Sequence, residues 1–207
     1  IKICCISSVD EARLAVGAGA SAVGLVGPMP SGPGVITDTQ IHEIAKTVPP
    51  PVATFLLTSE TSAADVVAHH RRVETNTIQL VDELEERDYL FIRHELPAVK
   101  IVQVIHVIDE RSIDEACEIA PNVDAILLDS GNPNLAVKEL GGTGRVHNWE
   151  VSRRIVEECG KPVFLAGGIR ADNVREAFER VGPFGFDLCS SVRTDGLLDH
   201  KKLELFF

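Results

Sequence analysis

No apolar run in this chain approaches the ~20 residues that a membrane-spanning helix needs, so neither a spanning helix nor a membrane partner is expected. Basic residues are scarce. Twenty Lys and Arg stand against 31 Asp and Glu, a formal net charge of −11 over 207 residues. The far field of such a chain repels polyanions, which argues against a nucleic-acid-binding face. The five cysteines, Cys4, Cys5, Cys117, Cys159 and Cys189, are odd in number and contain no CxxC pair. Most sit in apolar stretches, which implies free thiols in a reducing, cytoplasmic setting and excludes a disulfide framework or a structural zinc site. The seven histidines lack HExxH or any related ligand spacing; they read as surface or structural groups, and no metal is expected. The opening Ile1-Lys2-Ile3-Cys4-Cys5-Ile6 reads as a strand, because it has no basic segment, long apolar core and small-residue cleavage site in order. The absent initiator Met reads as a trimmed start.

What is present is an ordinary globular composition, 44% hydrophobic and 25% charged. Short apolar runs alternate with amphipathic stretches. Strands are expected at Lys2–Ile6, Ala22–Val26, Val52–Leu56, Thr77–Leu80, Lys100–Val104, Ala125–Leu128, Pro162–Ala166 and Phe186–Cys189. Most are continuously apolar, as strands buried on both faces are. Helices are expected at 10–16, 38–47, 62–73, 82–90, 112–120, 148–159, 172–180 and 200–207 from capping residues, helical spacing and Gly or Pro stops. Eight units of about 26 residues close most naturally into an α/β fold of the (β/α)₈ TIM-barrel type. An open doubly wound sheet would usually have fewer strands and a Gly-rich turn after the first. Here that turn is Ser7-Ser8-Val9-Asp10. No linker or low-complexity tract appears, so residues 1–207 read as one domain. The longest irregular segments, Gly27–Thr37 and Asp129–His147, both follow strands and would lie on the catalytic face.

In such a barrel, polar residues at the C-terminal strand ends carry chemistry. Cys4 and Cys5 end the first strand. Alternation lets only one face the mouth, where a thiol serves as base or nucleophile; the plain alternative is a small buried hydrophobe. Asp129 follows four apolar residues, where desolvation would raise its pKa and suit it to acid catalysis. Otherwise it caps its own turn. Gly141-Gly142-Thr143-Gly144 would let backbone approach a ligand. Gly167-Gly168 after strand seven and Ser190-Ser191 after strand eight occupy the two places where such barrels bind phosphate, although tight turns alone would explain them.

Lys2-Ile3-Cys4, Ala125-Ile126-Leu127-Leu128-Asp129-Ser130, Gly141-Gly142-Thr143-Gly144, Leu165-Ala166-Gly167-Gly168-Ile169 with Asn173-Val174, and Asp187 with Ser190 occur in that order. Together they resemble the phosphoribosylanthranilate isomerase family of tryptophan biosynthesis, over essentially the whole chain. The resemblance implies a cofactor-free (β/α)₈ barrel, monomeric or homodimeric. Its activity would be the Amadori rearrangement of N-(5-phosphoribosyl)anthranilate to 1-(o-carboxyphenylamino)-1-deoxyribulose 5-phosphate. Asp129 would be the general acid that opens the ribose ring. Cys4 would be the base that removes the C2′ proton. Gly142, Thr143, Gly167, Gly168, Asp187, Ser190 and Ser191 would bind the phosphorylated sugar. The chain departs from the family pattern in several places. Cys5 replaces a Gly, Pro33 stands at an Arg place, Val81 at a His place and Gln103 at a Lys place. Cys189-Ser190-Ser191-Val192-Arg193 replaces Ser-Ser-Gly-Val-Glu. Arg145 or Arg193 would then have to replace the lost cation at the anthranilate end. The other readings are a diverged isomerase of another sugar phosphate and a non-catalytic phosphosugar-binding barrel.

Overall fold

The computed structural model describes residues 1–30, 32–131 and 147–207. Eight parallel strands close into a barrel in chain order: β1 Lys2–Ile3, β2 Ala22–Val26, β3 Ala53–Thr58, β4 Thr77–Leu80, β5 Lys100–His106, β6 Ala125–Asp129, β7 Val163–Leu165 and β8 Gly185–Leu188. The seam is the β1–β8 pairing, with Lys2 opposite Asp187 and Ile3 opposite Leu188. The outer helices are α1 Val9–Ala18, α2 Asp38–Thr47, α3 Ala63–Val73, α4 Glu86–Glu95, α5 Arg111–Ile119, α6 Trp149–Glu158, α7 Val174–Val181 and α8 His200–Phe206. A small hairpin of β9 Arg193–Thr194 and β10 Leu197–Leu198 follows β8.

Local sequence explains most element ends. Thr37 and Gln40 form a reciprocal capping box at α2, and Ser8, Ser62 and Asp199 cap α1, α3 and α8 through their side chains. Each such cap is worth about 0.5–2 kcal/mol. Strand alternation then sorts side chains into two apolar layers. One lies between strands and helices and includes Ile3, Leu25, Leu56, Ile78, Ile105, Ile126 and Leu165. The other fills the barrel and includes Cys4, Val26, Phe55, Leu57, Val81, Val102, Val104 and Leu127. The continuous apolar runs seen in the sequence are therefore strands with both faces covered.

Most element ends fall within two residues of the sequence expectation, and three of the differences bear on the site. β1 stops at Ile3 because Cys5 takes φ 61°, outside the extended region, although Cys4 N–H still donates to Leu188 O at 2.7 Å. β5 continues to His106. Helix α4 begins four residues later than expected, at Glu86. Its displaced start has a long-range cause. The Gln103 amide points outward from β5 and donates to the carbonyls of Leu80 and Asp82, while its oxygen accepts from the Tyr89 hydroxyl at 2.8 Å. Those bonds tie the end of β4 and hold Val81 and Asp82 as loop. No helix among the described residues is long and apolar enough to cross a membrane.

Candidate active site

The barrel floor is set by Lys2 and Asp187, adjacent across the seam and bonded at 2.8 Å. Lys2 is fully buried, and its ammonium lies 5.3 Å from the centre of the Phe55 ring. Burial works against the charge, but the Asp187 carboxylate overrides it and holds the Lys2 pKa above its ordinary range. Asp187 Oδ2 takes the ammonium, while Oδ1 is buried without a hydrogen-bond partner among the described residues.

Above this pair opens a cavity of about 720 Å³, counted out to its mouth. Cys4, Asp129, Gly167, Gly168, Asp187, Ser190 and Ser191 all line it, so seven of the nine site residues expected from sequence meet in one space. The other two, Gly142 and Thr143, lie outside the described residues, as do Ser31 and Arg145.

Asp129 ends β6, where its Oδ1 accepts from its own Ser130 N–H at 2.7 Å. The turn-capping and cavity-lining readings of this residue therefore hold together. Two histidines lie within electrostatic reach of it. His106, on β5, pairs in register with Asp129 and donates through Nε2 toward Val81 O at 3.3 Å. His147 bonds Ser152 Oγ at 2.8 Å. Burial lowers the pKa of both, and pushes His147 down to about 4 against the pull of Asp129. Both imidazoles are thus neutral near pH 7 and bring no positive charge to the carboxylate. Nδ1 of each is buried without a hydrogen-bond partner among the described residues.

The phosphate-type turns are built by backbone conformation. Gly167 and Gly168 take φ 77° and 67°, which L side chains rarely adopt. Asn173 Nδ2 fixes this turn by donating to Gly168 O at 2.9 Å. Ser190–Val192 forms one 3₁₀ turn after β8. The hydroxyl of Ser191, a residue lining the cavity, has no hydrogen-bond partner among the described residues. Unpaired buried polar atoms at a cavity wall mark places where a ligand supplies the partner.

Both Cys4 and Cys5 line the cavity, contrary to the alternation argument. That argument holds for extended backbone, and Cys5 is left-handed. Its thiol lies 3.5 Å from Pro33 O and 2.9 Å from Cys189 Sγ. Arg193 is not a replacement cation for the anthranilate end. Its guanidinium donates to Glu11 at 2.9 Å, to Gly196 O at 3.0 Å, and to the carbonyls of Cys4 and Cys5 at 3.1 and 2.6 Å. It clamps the end of β1 instead. The apolar part of the lining is Val26, Met29, Pro33, Leu57, Val81 and Val104. Gln103, placed at a Lys position of the family pattern, faces the helix layer and not the mouth.

Sequence reasoning gave no site role to Gln79, whose buried Oε1 is unpaired and which lines the cavity, or to His106. Strand parity was the available signal: Gln79 and Val81 share a face, as do Val102, Val104 and His106. Among the described residues no three His, Cys, Asp or Glu side chains gather as a metal site would need.

Fold and site together define the chain as a (β/α)₈-barrel enzyme. A sequence model of the N-(5'phosphoribosyl)anthranilate (PRA) isomerase family matches residues 1–207, and the chain belongs to that family. It is 33% identical over 205 residues to N-(5'-phosphoribosyl)anthranilate isomerase 2 of Methanosarcina mazei, covering 98% of this chain and 90% of that one. Its backbone is similar to that of N-(5'-phosphoribosyl)anthranilate isomerase from Pyrococcus furiosus, with a TM-score of 0.82, 25% identity, and 99% and 94% of the two chains covered. It is also similar, at TM-score 0.78 and 25% identity over 99% and 94% of the chains, to a phosphoribosyl anthranilate isomerase solved in complex with reduced 1-(o-carboxyphenylamino)-1-deoxyribulose 5-phosphate.

Proposed function

We propose that this protein is an aldose–ketose isomerase that converts N-(5'-phosphoribosyl)anthranilate to 1-(o-carboxyphenylamino)-1-deoxyribulose 5-phosphate. The observation that carries this reading is the single cavity lined at once by Asp129, Cys4 and the two small-residue turns, in a chain matched end to end by the family. The substrate phosphate sits against the Gly167-Gly168 and Ser190-Ser191 turns, where backbone N–H groups and the unpaired Ser191 hydroxyl receive it. That anchorage fixes the sugar between acid and base. Asp129 protonates the ring oxygen, and the ring opens to an iminium. Cys4, as thiolate, removes the C2′ proton to give an enolamine, which tautomerises to the aminoketose. Asp187 Oδ1 accepts a sugar hydroxyl, since its other oxygen is occupied by Lys2. The aromatic ring packs on the apolar wall of Met29, Pro33 and Val81.

The free thiols of all five cysteines support a reducing, cytoplasmic location. The net charge of −11 speaks against nucleic acid as a partner. The test is to generate phosphoribosylanthranilate in situ, add the protein and follow loss of substrate fluorescence. Turnover that disappears in Asp129→Asn supports the reading. A folded wild-type protein with no turnover overturns it.

A further inference from the structure

We propose that Cys5 and Cys189 form a peroxide-oxidisable dithiol in the cavity wall, a modification site separate from the acid and base. Three observations carry this. The two sulfurs are 2.9 Å apart although their residues are 184 positions apart in the chain. The backbones that carry them follow β1 and β8, which are hydrogen-bonded neighbours up to Cys4 N–H on Leu188 O. The sulfurs are therefore about 0.9 Å beyond the ~2.05 Å length of an S–S bond. Both residues also line the open cavity, so a small oxidant reaches them by the substrate's route. Cys5 and Cys189 are moreover two of the places where this chain departs from the family pattern, and the two departures touch.

The chemistry divides between the two thiols. The contact with the Cys5 sulfur, with the nearby Arg193 charge, lowers the Cys189 pKa despite burial. The same contacts with Cys189 and Cys4, together with burial, raise that of Cys5. Cys189 is thus the attacking thiolate. It attacks one oxygen of hydrogen peroxide: an S–O bond forms, the O–O bond breaks, and hydroxide leaves and is protonated to water. The sulfenic acid on Cys189 is then attacked by the Cys5 sulfur. The S–S bond forms, the S–O bond breaks, and the leaving hydroxide takes the Cys5 proton as a second water. Two thiols and one peroxide give one disulfide and two waters, with both electrons passing to peroxide. A dithiol reductant reverses the change.

The reduced full-length protein is treated with excess hydrogen peroxide, alkylated and digested with trypsin. The expected result is peptide 3–13 joined to peptide 181–193, with the mass of two hydrogens lost and fragmentation placing the bond on Cys5. The link survives in Cys4→Ser and is absent in Cys5→Gly. Complete alkylation of wild type with no link overturns the proposal, as does a link that fragmentation or the variants place on Cys4. This readout needs no turnover, so it stands or falls apart from the isomerase reading. Where turnover is measured, full cross-linking lowers it by about 10–100-fold, and dithiothreitol restores it.

Discussion

Gly34 approaches Cys5 so closely that a Cβ on Gly34 would lie 2.5 Å from the Cys5 Cβ and 3.0 Å from its Cα. Both residues are left-handed, with φ 78° and 61°. A side chain at position 5, in a conformation suited to glycine, is accommodated by the absence of one at position 34. Gly34→Ala is therefore expected to destabilise the protein by about 2–4 kcal/mol, from backbone strain plus steric overlap. In a Cys5→Gly background the same change should cost at least ~1 kcal/mol less, because the overlap with the Cys5 side chain is gone while the strain and the close approach to the backbone remain. Urea unfolding of the four proteins measures this coupling. Additive effects would show that the two positions do not sense each other.

The Arg193–Glu11 pair joins the β9 hairpin and α1 to the backbone of the proposed base. Side-chain exposures of 8% and 10% place it among buried ion pairs. Glu11 also accepts from the backbone N–H groups of Ser7 and Leu198, at 2.9 and 2.8 Å. Removing Arg193 leaves a desolvated carboxylate and takes the donor from the carbonyls of Cys4, Cys5 and Gly196. Arg193→Ala is expected to lose about 3–5 kcal/mol. Arg193→Lys, which keeps the charge but not the fork, should recover part of the stability and less of kcat. A lysine variant equal to wild type in kcat would remove the clamp from the catalytic geometry.

Asp129→Asn preserves shape and the bond to Ser130 while abolishing the proton donor. kcat is expected to fall by ~10²–10⁴ with KM little changed. Cys4→Ala should give a loss on the same scale. The double variant should lose far less than the product of the two, because ring opening and proton removal are successive steps and the slower one sets kcat. Steady-state kinetics on the three proteins decides the matter, and a fully multiplicative result would place both groups in one transition state.

The barrel was legible because buried parallel strands are continuous apolar runs and the helices between them carry their own caps. What escaped was what depends on residues far apart in the chain. Nothing within Asp82–Glu85 shows that Gln103 holds the chain there as loop and delays α4. Nothing near Cys5 shows its left-handed turn, since the permissive partner is Gly34. The mouth residues followed from strand ends, so the site was readable as far as those ends were. His106 was missed because β5 was expected to stop two residues earlier. Arg193 looked available as a cation because its buried partner, Glu11, is 182 positions away.

Acid should unfold this protein in two contiguous windows. Burial lowers the pKa of His69, His70 and His106, and takes His147 to about 4. Between about 6.5 and the lowered values, the unfolded chain binds protons that the folded chain refuses. Stability is therefore complete above about pH 6.5 and falls as pH drops through this range. His147 alone accounts for on the order of 3 kcal/mol. The carboxylates act lower. Burial pushes Glu11, Asp38 and Asp124 upward, but Arg193, Arg72 and the Ile101 N–H, among other partners, hold them below their ordinary values. Their contribution is present above about pH 4.5 and is lost as pH falls through the folded values. The urea midpoint should decline steadily from pH 7 to pH 4 and then more steeply. His147→Gln should flatten the first decline by up to one proton's worth of slope. A midpoint that stays level between pH 7 and pH 5 would mean that the buried imidazoles are already protonated in the folded protein.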